Sequence, residues 1–399
     1  MSRISKRASQ IAPSLTLAIS AKAAKLKAEG VDVVSFAAGE PDFNTPDYIC
    51  AAAKTALNKG QTRYTAVAGT IELRKAVAVA FLRDHNLVYE PNQIVVSNGA
   101  KHSLFNAFAA ILEKGDEVLL PSPFWLTYPE VVRMNDGIPK IIETTAAADF
   151  KITPVQLKKA ITKKTKAIIL NNPSNPTGTV YSKEEICVLA EILEKTDIIV
   201  VSDEIYEKLI YDGQKAYSIA SYSPKMKENT IIVNGLSKTY AMTGWRIGYT
   251  ASSKYIAAAM DSLQSHATSN ANSIAQAASV AALTDSKGEK FLTELSGTFE
   301  KRRDLAVRLL EDMKPLTFVR PQGAFYVMVG MDALKGKSYE GKMITGAADF
   351  AELLIDYAKV VAIPCESFGA GSYIRLSYAT SEEQLEKGLN RIKEFVAKL

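Results

Sequence analysis

The chain has 399 residues, 47% of them apolar and 23% charged, with 48 basic against 43 acidic side chains and a formal net charge of +5. That length points to two or three domains. High apolar content with low net charge excludes a disordered chain, and so small a positive balance excludes a dedicated nucleic-acid binder. Cys50, Cys187 and Cys365 are odd in number, far apart and outside any CxxC pattern. They argue against a disulfide scaffold or structural zinc and for a reducing compartment, the cytoplasm. No apolar run approaches the ~18 residues that span a bilayer, so no membrane association is expected.

The chain opens on a basic stretch in which Arg3, Lys6, Arg7, Lys22, Lys25 and Lys27 precede the first acid, Glu29. This superficially resembles a transit peptide, but an amphipathic opening helix is the better reading. Beyond it, short β-branched runs alternate with longer helical patterns. The runs are Ile94–Ser97, Glu117–Leu120, Lys140–Thr144, Ala167–Leu170, Ile198–Ser202, Thr230–Asn234 and Arg246–Thr250. Apolar spacing of i, i+3, i+4 predicts helices at Glu72–Arg83, His102–Leu112 and Lys183–Leu193. Continuous apolar strands separated by helices predict an α/β fold, a mostly parallel sheet covered on both faces, with ligands beyond the carboxyl ends of its strands. The basic run Lys158–Lys166 reads as a solvated helix end leading into a strand. After about Glu289 the pattern changes to a smaller α+β unit: a helix at Phe299–Met313, strands at Thr317–Val319, Gly323–Val329, Val360–Ile363 and Tyr373–Ser377, a helix near Ala348–Lys359, and a closing helix at Ser381–Lys398.

Four strand ends carry residues that packing does not require. Asn98-Gly99-Ala100-Lys101 is a glycine turn feeding a helix, which offers free N–H groups and a positive dipole end to a phosphate. It matches neither common nucleotide fingerprint. Asn171-Asn172-Pro173-Ser174-Asn175-Pro176-Thr177-Gly178 is a stiff loop in which Asn175 can present a fixed amide. Asp203 ends a buried strand, where a carboxylate is costly unless paired with a cation or a protonated ring nitrogen; capping of the next helix is the alternative. Lys238 stands at the mouth of another apolar run, and a desolvated amine becomes a nucleophile toward aldehydes. Arg246 opens the following strand, suited to an anion. Together these residues describe an aldehyde cofactor with a phosphate and a protonated pyridine nitrogen, pyridoxal 5′-phosphate.

At this point a resemblance emerges. Ser237-Lys238-Thr239-Tyr240-Ala241-Met242-Thr243-Gly244-Trp245-Arg246-Ile247-Gly248 resembles the pyridoxal-lysine signature of class I aminotransferases of fold type I. So do Ala38–Phe43, Arg63-Tyr64-Thr65 with Gly69, Asn171–Gly178, Ser202–Tyr206 and Ile374–Tyr378, in family order over nearly the whole chain. The subgroup resembled is that of bacterial aspartate and aspartate/prephenate aminotransferases. The resemblance implies a large domain at 46–288 with a seven-stranded sheet, and a small discontinuous domain from 1–45 and 289–399. It implies that Lys238 bonds the cofactor aldehyde and shuttles a proton, that Asp203 keeps the pyridine nitrogen protonated, and that Tyr206 and Asn175 bond the ring's phenolic oxygen. Trp125 would stack on the ring. Gly99, Ala100, Ser237 and Arg246 would hold the phosphate, with Tyr64 reaching in from the second subunit of a homodimer. Arg375 would clamp the substrate α-carboxylate and Gly39 close over it. Lys101, beside the phosphate turn, would bind the substrate's distal carboxylate, because His266–Ile274 lacks the arginine some relatives use.

The activity expected is transfer of the amino group of aspartate to 2-oxoglutarate with ping-pong kinetics. Prephenate, aromatic or alanine transamination, a β-lyase or cyclising synthase, and a non-catalytic pyridoxal-phosphate regulator are the alternatives. Cys365 stands where relatives usually carry glycine, and is expected to be strained if that backbone requires positive φ. Met242 and Trp245 read as packing residues. His85, His102 and His266 share no metal-ligand spacing, so no metal is expected and surface or helix-end roles are.

Overall fold

A strand covered on both faces has no polar side to show, and the seven apolar runs become one sheet. In the computed structural model, which describes residues 4–13 and 15–399, they are β1 (Ile94–Ser97), β2 (Glu117–Ser122), β3 (Ile138–Glu143), β4 (Thr165–Asn171), β5 (Ile199–Asp203), β6 (Thr230–Gly235) and β7 (Gly248–Ala251). Their order is β1-β7-β6-β5-β4-β2-β3. The ladders from β6 through β3 are parallel, while β7 is antiparallel to both β1 and β6. Register brings Asn171 opposite Asp203, so two polar strand ends meet at the same edge. One expectation is corrected: Arg246 does not open a strand. It lies two residues before β7 in the left-handed region, at φ 57°.

Five helices bear on the site. They are α1 (Ile71–His85), α2 (Ala100–Ile111), α3 (Lys183–Leu193), α4 (Lys287–Glu311) and α5 (Glu382–Val396). The Thr70 hydroxyl caps α1 by accepting from Leu73 N–H, and Asn86, in the left-handed region, ends it. The α3 start is a capping box between Ser182 and Glu185. The two-residue period of the strands divides them between layers. Ile169, Val201 and Val233 pack with Leu104 and Phe108 of α2, whereas Ile168, Leu170 and Val200 pack with Ile186, Leu189 and Leu193 of α3. Each such side chain is worth ~1.5–3 kcal/mol of transfer energy. The α4 helix begins before the expected Phe299: Gly288 and Leu295 are buried in its opening turns, among Lys287, Glu289, Lys290 and Glu294.

The C-terminal part builds a four-stranded sheet from Ile363–Pro364, Tyr373–Ser377, Tyr326–Gly330 and Thr317–Phe318. It shares a core with Phe299, Leu389 and Ile392 of α4 and α5. Val34–Ser35 pairs in parallel with Val360–Val361, so the two chain ends meet. The basic opening contains a helix at Leu15–Ala28. Ile19, Ala23 and Leu26, spaced i, i+4, i+7, pack against the core along one face, while Ala18, Ala21, Ala24 and Ala28 are exposed on the others, so the amphipathic character is weak. Arg3, part of that stretch, lies outside the described residues. Lys158–Lys166 closes a short helix, Pro154–Ala160, and runs into β4, as expected.

Candidate active site

The carboxyl ends of β1, β2, β4, β5 and β6 surround a cavity of about 310 Å³. Gly39, Ala100, Lys101, Trp125, Asn175 and Asp203 line it, with Tyr206, Ser237, Lys238, Arg246 and Arg375. Eleven of the thirteen residues singled out from sequence therefore converge on one space.

Lys238 follows β6, and its Nζ donates to the Gly39 carbonyl. Burial lowers its pKa to about 8, with Glu40 opposing the shift and Arg246 and Arg375 reinforcing it. A far larger neutral fraction is thereby available than an exposed lysine offers. Asp203 is 3% exposed; the Tyr128 hydroxyl donates to its Oδ2 at 2.8 Å and Ile205 N–H to its Oδ1 at 3.2 Å. Burial raises its pKa to about 6 against those two hydrogen bonds and the Lys238 charge. Tyr206 and Tyr326 join hydroxyl to hydroxyl at 3.0 Å, and burial holds the Tyr206 phenol well above its usual range.

Arg375, on the strand Tyr373–Ser377, is 2% exposed. It donates through Nη1 to Asn175 Oδ1 at 3.0 Å and through Nη2 to the Ala37 carbonyl at 3.2 Å, and lies 4.3 Å from the centre of the Tyr326 ring. Its buried Nε has no hydrogen-bond partner, and no carboxylate pairs with it among the described residues. A buried guanidinium left so is costly, and the arrangement invites an external carboxylate. Asn175 N–H in turn donates to Asn171 Oδ1, and Asn171 Nδ2 to the Asp203 carbonyl, so one chain of bonds links the Arg375 and Asp203 ends of the cavity.

At the opposite corner, Gly99 has φ 86°, and a Cβ there would stand 2.3 Å from Arg246 Nη2. A Cβ on Gly248 would stand 2.1 Å from Ala100 N. Backbone thus closes around the first turn of α2, which has no acidic side chain and no side-chain cap, leaving its N–H groups for an anion. Arg246 holds onto the carbonyls of Thr243 and Asn98. Lys101 is exposed as a residue, yet its ammonium lies 4.9 Å from the centre of the Trp125 ring. Desolvation there, followed by the Arg246 charge, lowers its pKa.

Tyr64 is not among the lining residues and is 90% exposed. Leu126 and Thr127, flanking Trp125, also line the cavity, and among the lining residues that escaped the sequence reading are Tyr128, Tyr326 and Thr16. Tyr128 sits three residues after Trp125, the only local hint, and the other two carry no sequence signal. Cys365 is not strained: it has φ −98°, and Gly369, four residues on, holds the left-handed conformation at φ 78°. Met242 is fully buried in the core, and the Trp245 indole donates to Thr45, both packing roles as read. His85 does end α1, but its side chain is buried rather than at the surface.

A partly neutral buried amine, a buried carboxylate with no ion-pair partner among the described residues, and an anion cradle at a helix N-terminus suit an enzyme that carries an aldehyde cofactor on a lysine. The chain belongs to the aminotransferase class I and II family, whose profile matches residues 31–392. It is similar to the aspartate aminotransferase of Bacillus subtilis (strain 168), 46% identical over 399 residues and 99% of each chain. It is also similar to the probable aspartate/prephenate aminotransferase of Aquifex aeolicus (strain VF5), 44% identical over 98% of each. Among solved structures, the aspartate aminotransferase from Rhizobium meliloti superposes with a TM-score of 0.96 at 41% identity, covering all of both chains. That from Thermus thermophilus with maleate superposes with a TM-score of 0.93, also at 41% identity, covering 99% of this chain and all of that one. The fold is fold type I and the enzyme a pyridoxal-phosphate-dependent transaminase. The residues fit that cofactor: the Gly99 cradle for its phosphate, Asp203 for its ring nitrogen, Lys238 for its aldehyde.

Proposed function

We propose that the protein transfers the amino group of L-aspartate to 2-oxoglutarate, giving oxaloacetate and L-glutamate. The observation that carries this reading is the pair of cations in one cavity, buried unpaired Arg375 and Lys101 at the Trp125 ring, which suits an amino acid with two carboxylates. Relatives spanning the full chain are named aspartate aminotransferases, and one solved relative holds the dicarboxylate maleate.

When bound, the cofactor supplies an electron sink for the bond broken at the substrate Cα. Arg375 binds the α-carboxylate, with Gly39 over it, and so orients the Cα–H bond toward Lys238. Lys238 Nζ, whose lowered pKa leaves part of it neutral, would take up and return that proton. Asp203 would hold the proton on the ring nitrogen, and Tyr206 and Asn175 would donate to the phenolic oxygen. Gly99, Ala100, Ser237 and Arg246 would hold the phosphate at the α2 turn, where Lys101 also lies. Trp125 would stack on the ring. Tyr64, exposed on its own subunit, completes the neighbour's site in a homodimer. The division into 46–288 and 1–45 with 289–399 is supported by the pairing of Val34–Ser35 with Val360–Val361. Three free cysteines support a cytoplasmic setting, and among the described residues no helix is long and apolar enough to cross a membrane.

A second reading, transamination of prephenate, is favoured by the Aquifex relative's name. The test is spectroscopic. Protein reconstituted with pyridoxal phosphate should be yellow, and L-aspartate alone should abolish the visible band in one half-reaction. Retention of the band with aspartate, and its loss with another amino donor, would reassign the substrate.

A further inference from the structure

The turn that ends β5 has a second face. Glu207 N–H bonds the Glu204 carbonyl and Leu209 N–H the Tyr206 carbonyl. In so tight a turn, side chains three apart share a side. Asp203 and Tyr206 therefore face the cavity together, and Glu204 and Glu207 face away together. There they meet His85, the last residue of α1. His85 Nε2 lies 2.6 Å from Glu207 Oε2, with the two side chains only 5% and 9% exposed. One ligand atom from each of His85, Glu204 and Glu207 falls within a 4.8 Å group. Glu204 is 4% exposed; its Oε1 accepts from Ser202 and Ser218, while its buried Oε2 has no partner.

We infer that the His85–Glu207 pair, with Glu204 beside it, is a clamp that positions Asp203 and Tyr206 against the cofactor. These are positioning residues that act through the turn, and the inference rests on the pyridoxal-phosphate reading above. Two features make the cluster a proton-filled clamp rather than a metal centre. At 2.6 Å the imidazole and carboxylate already share a hydrogen bond, whereas a metal ion about 2.0–2.2 Å from each would hold them farther apart. The Lys208 ammonium also stands 3.8 Å from Glu207 Oε1 and 2.8 Å from Asp84, completing the local charge balance. Burial disfavours the imidazolium, but the Glu207 hydrogen bond and charge, aided by Glu204 and opposed by Lys208, outweigh it and raise His85 to about 9. The clamp is thus closed at neutral pH. It fixes α1 to the turn, with a second tie where the Ser221 hydroxyl donates to the His85 carbonyl.

If the clamp aims Tyr206, its loss weakens the hydrogen bond that stabilises the cofactor's phenolic oxygen as an anion. The visible band should then titrate at higher pH. Holoenzymes of wild type, His85→Ala, His85→Gln and Glu207→Gln are compared for the pH midpoint of the visible band, the rate of cofactor loss on dilution and far-ultraviolet circular dichroism. His85→Ala should raise the midpoint by about one pH unit and speed cofactor loss roughly tenfold, the scale on which groups supporting a ligand residue act. His85→Gln, which keeps a donor, should recover part of both, and Glu207→Gln should fall between. Folded variants with the wild-type midpoint and retention would overturn the clamp. So would stabilisation of wild type by added zinc that disappears in His85→Ala, which would make the cluster a metal site. Should wild type itself show no visible band with pyridoxal phosphate, the cofactor reading fails, not the clamp.

Discussion

Arg375 and Lys101 both present a cation to the cavity, but their surroundings assign them different work. The Arg375 fork is fixed by Asn175 and Ala37 before any substrate arrives. Arg375→Lys keeps the charge and loses the planar fork. It should lower kcat/KM roughly 30-fold, about 2 kcal/mol for one charged hydrogen bond, for aspartate and alanine alike, because both carry an α-carboxylate. Lys101→Ala should cost aspartate roughly fivefold, about 1 kcal/mol for a solvent-accessible pair, and leave alanine unchanged. Steady-state kinetics with both donors decides; equal losses from Lys101→Ala would sink the division of labour. Asp203 makes a different statement, through pH. Its pKa in the cofactor-free protein is about 6 against an ordinary 3.8, so the folded state holds its proton more tightly than the unfolded chain does. Stability from this group is therefore present at low pH and lost as pH climbs from about 4 through 6, some 3 kcal/mol in all. Asp203→Asn does not titrate. In cofactor-free protein, the variant should exceed wild type in denaturant stability at pH 7 and lose that advantage as pH approaches 4. The same variant should lose transamination by at least roughly a hundredfold, because a neutral amide leaves the buried ring-nitrogen proton without its counter-charge. An advantage that did not change with pH would contradict the burial argument.

Contact between β7 and α2 is made by backbone, which makes glycine indispensable there. A Cβ on Gly248 would meet Ala100 N at 2.1 Å and the Gly99 carbonyl carbon at 2.3 Å, and neither can rotate away. Gly248→Ala must part the strand from the helix whose first turn would cradle the phosphate. Thermal stability should fall by about 1–3 kcal/mol, and affinity for pyridoxal phosphate should fall while that for pyridoxal, which lacks the phosphate, stays. Gly297→Ala, where nothing lies within 4 Å in mid-α4, should be neutral or stabilising by up to ~1 kcal/mol. The same elements show what the chain makes legible. Buried parallel strands announce themselves as apolar runs, so the polar residues that follow them stood out, and two of these, Lys238 and Asp203, line the cavity. The run before Thr250 carried no mark of direction, so the reversal of β7 was invisible, as was the placing of Arg246 outside it. The α4 start was missed because Gly288 and Leu295 are the only buried residues among 287–298, too few to read as a helical stripe. Tyr128 owes its bond to Asp203 to a meeting of chain segments 75 residues apart, which no spacing rule reports. The His85–Glu207 pair, separated by 122 residues, was hidden in the same way.

Whole-molecule organisation turns on Tyr64. Its loop is anchored, since Ser273 donates to the Gln61 carbonyl and Gln276 to Thr65, yet the Tyr64 side chain is 90% exposed and absent from the cavity of its own chain. A fixed loop that presents an aromatic hydroxyl outward suits a two-fold dimer in which each subunit completes the other's site. Lys238→Ala and Tyr64→Ala enzymes should both be dimers and both be impaired, the first inactive and the second weakened in holding the phosphate. Co-expressed in equal amounts with separate tags, they form mixed dimers in which one site lacks both residues and the other has Lys238 from one subunit and Tyr64 from its neighbour. With random pairing, half the dimers are mixed and one of their two sites is intact, so about a quarter of all sites should be wild type. Purifying the mixed dimer through both tags should raise that share to about one half. The measurement is specific activity of the doubly purified species against each parent, with sedimentation to establish that it is a dimer. Activity no higher than the mean of the parents would place Tyr64 outside the partner's site and leave each subunit to work alone.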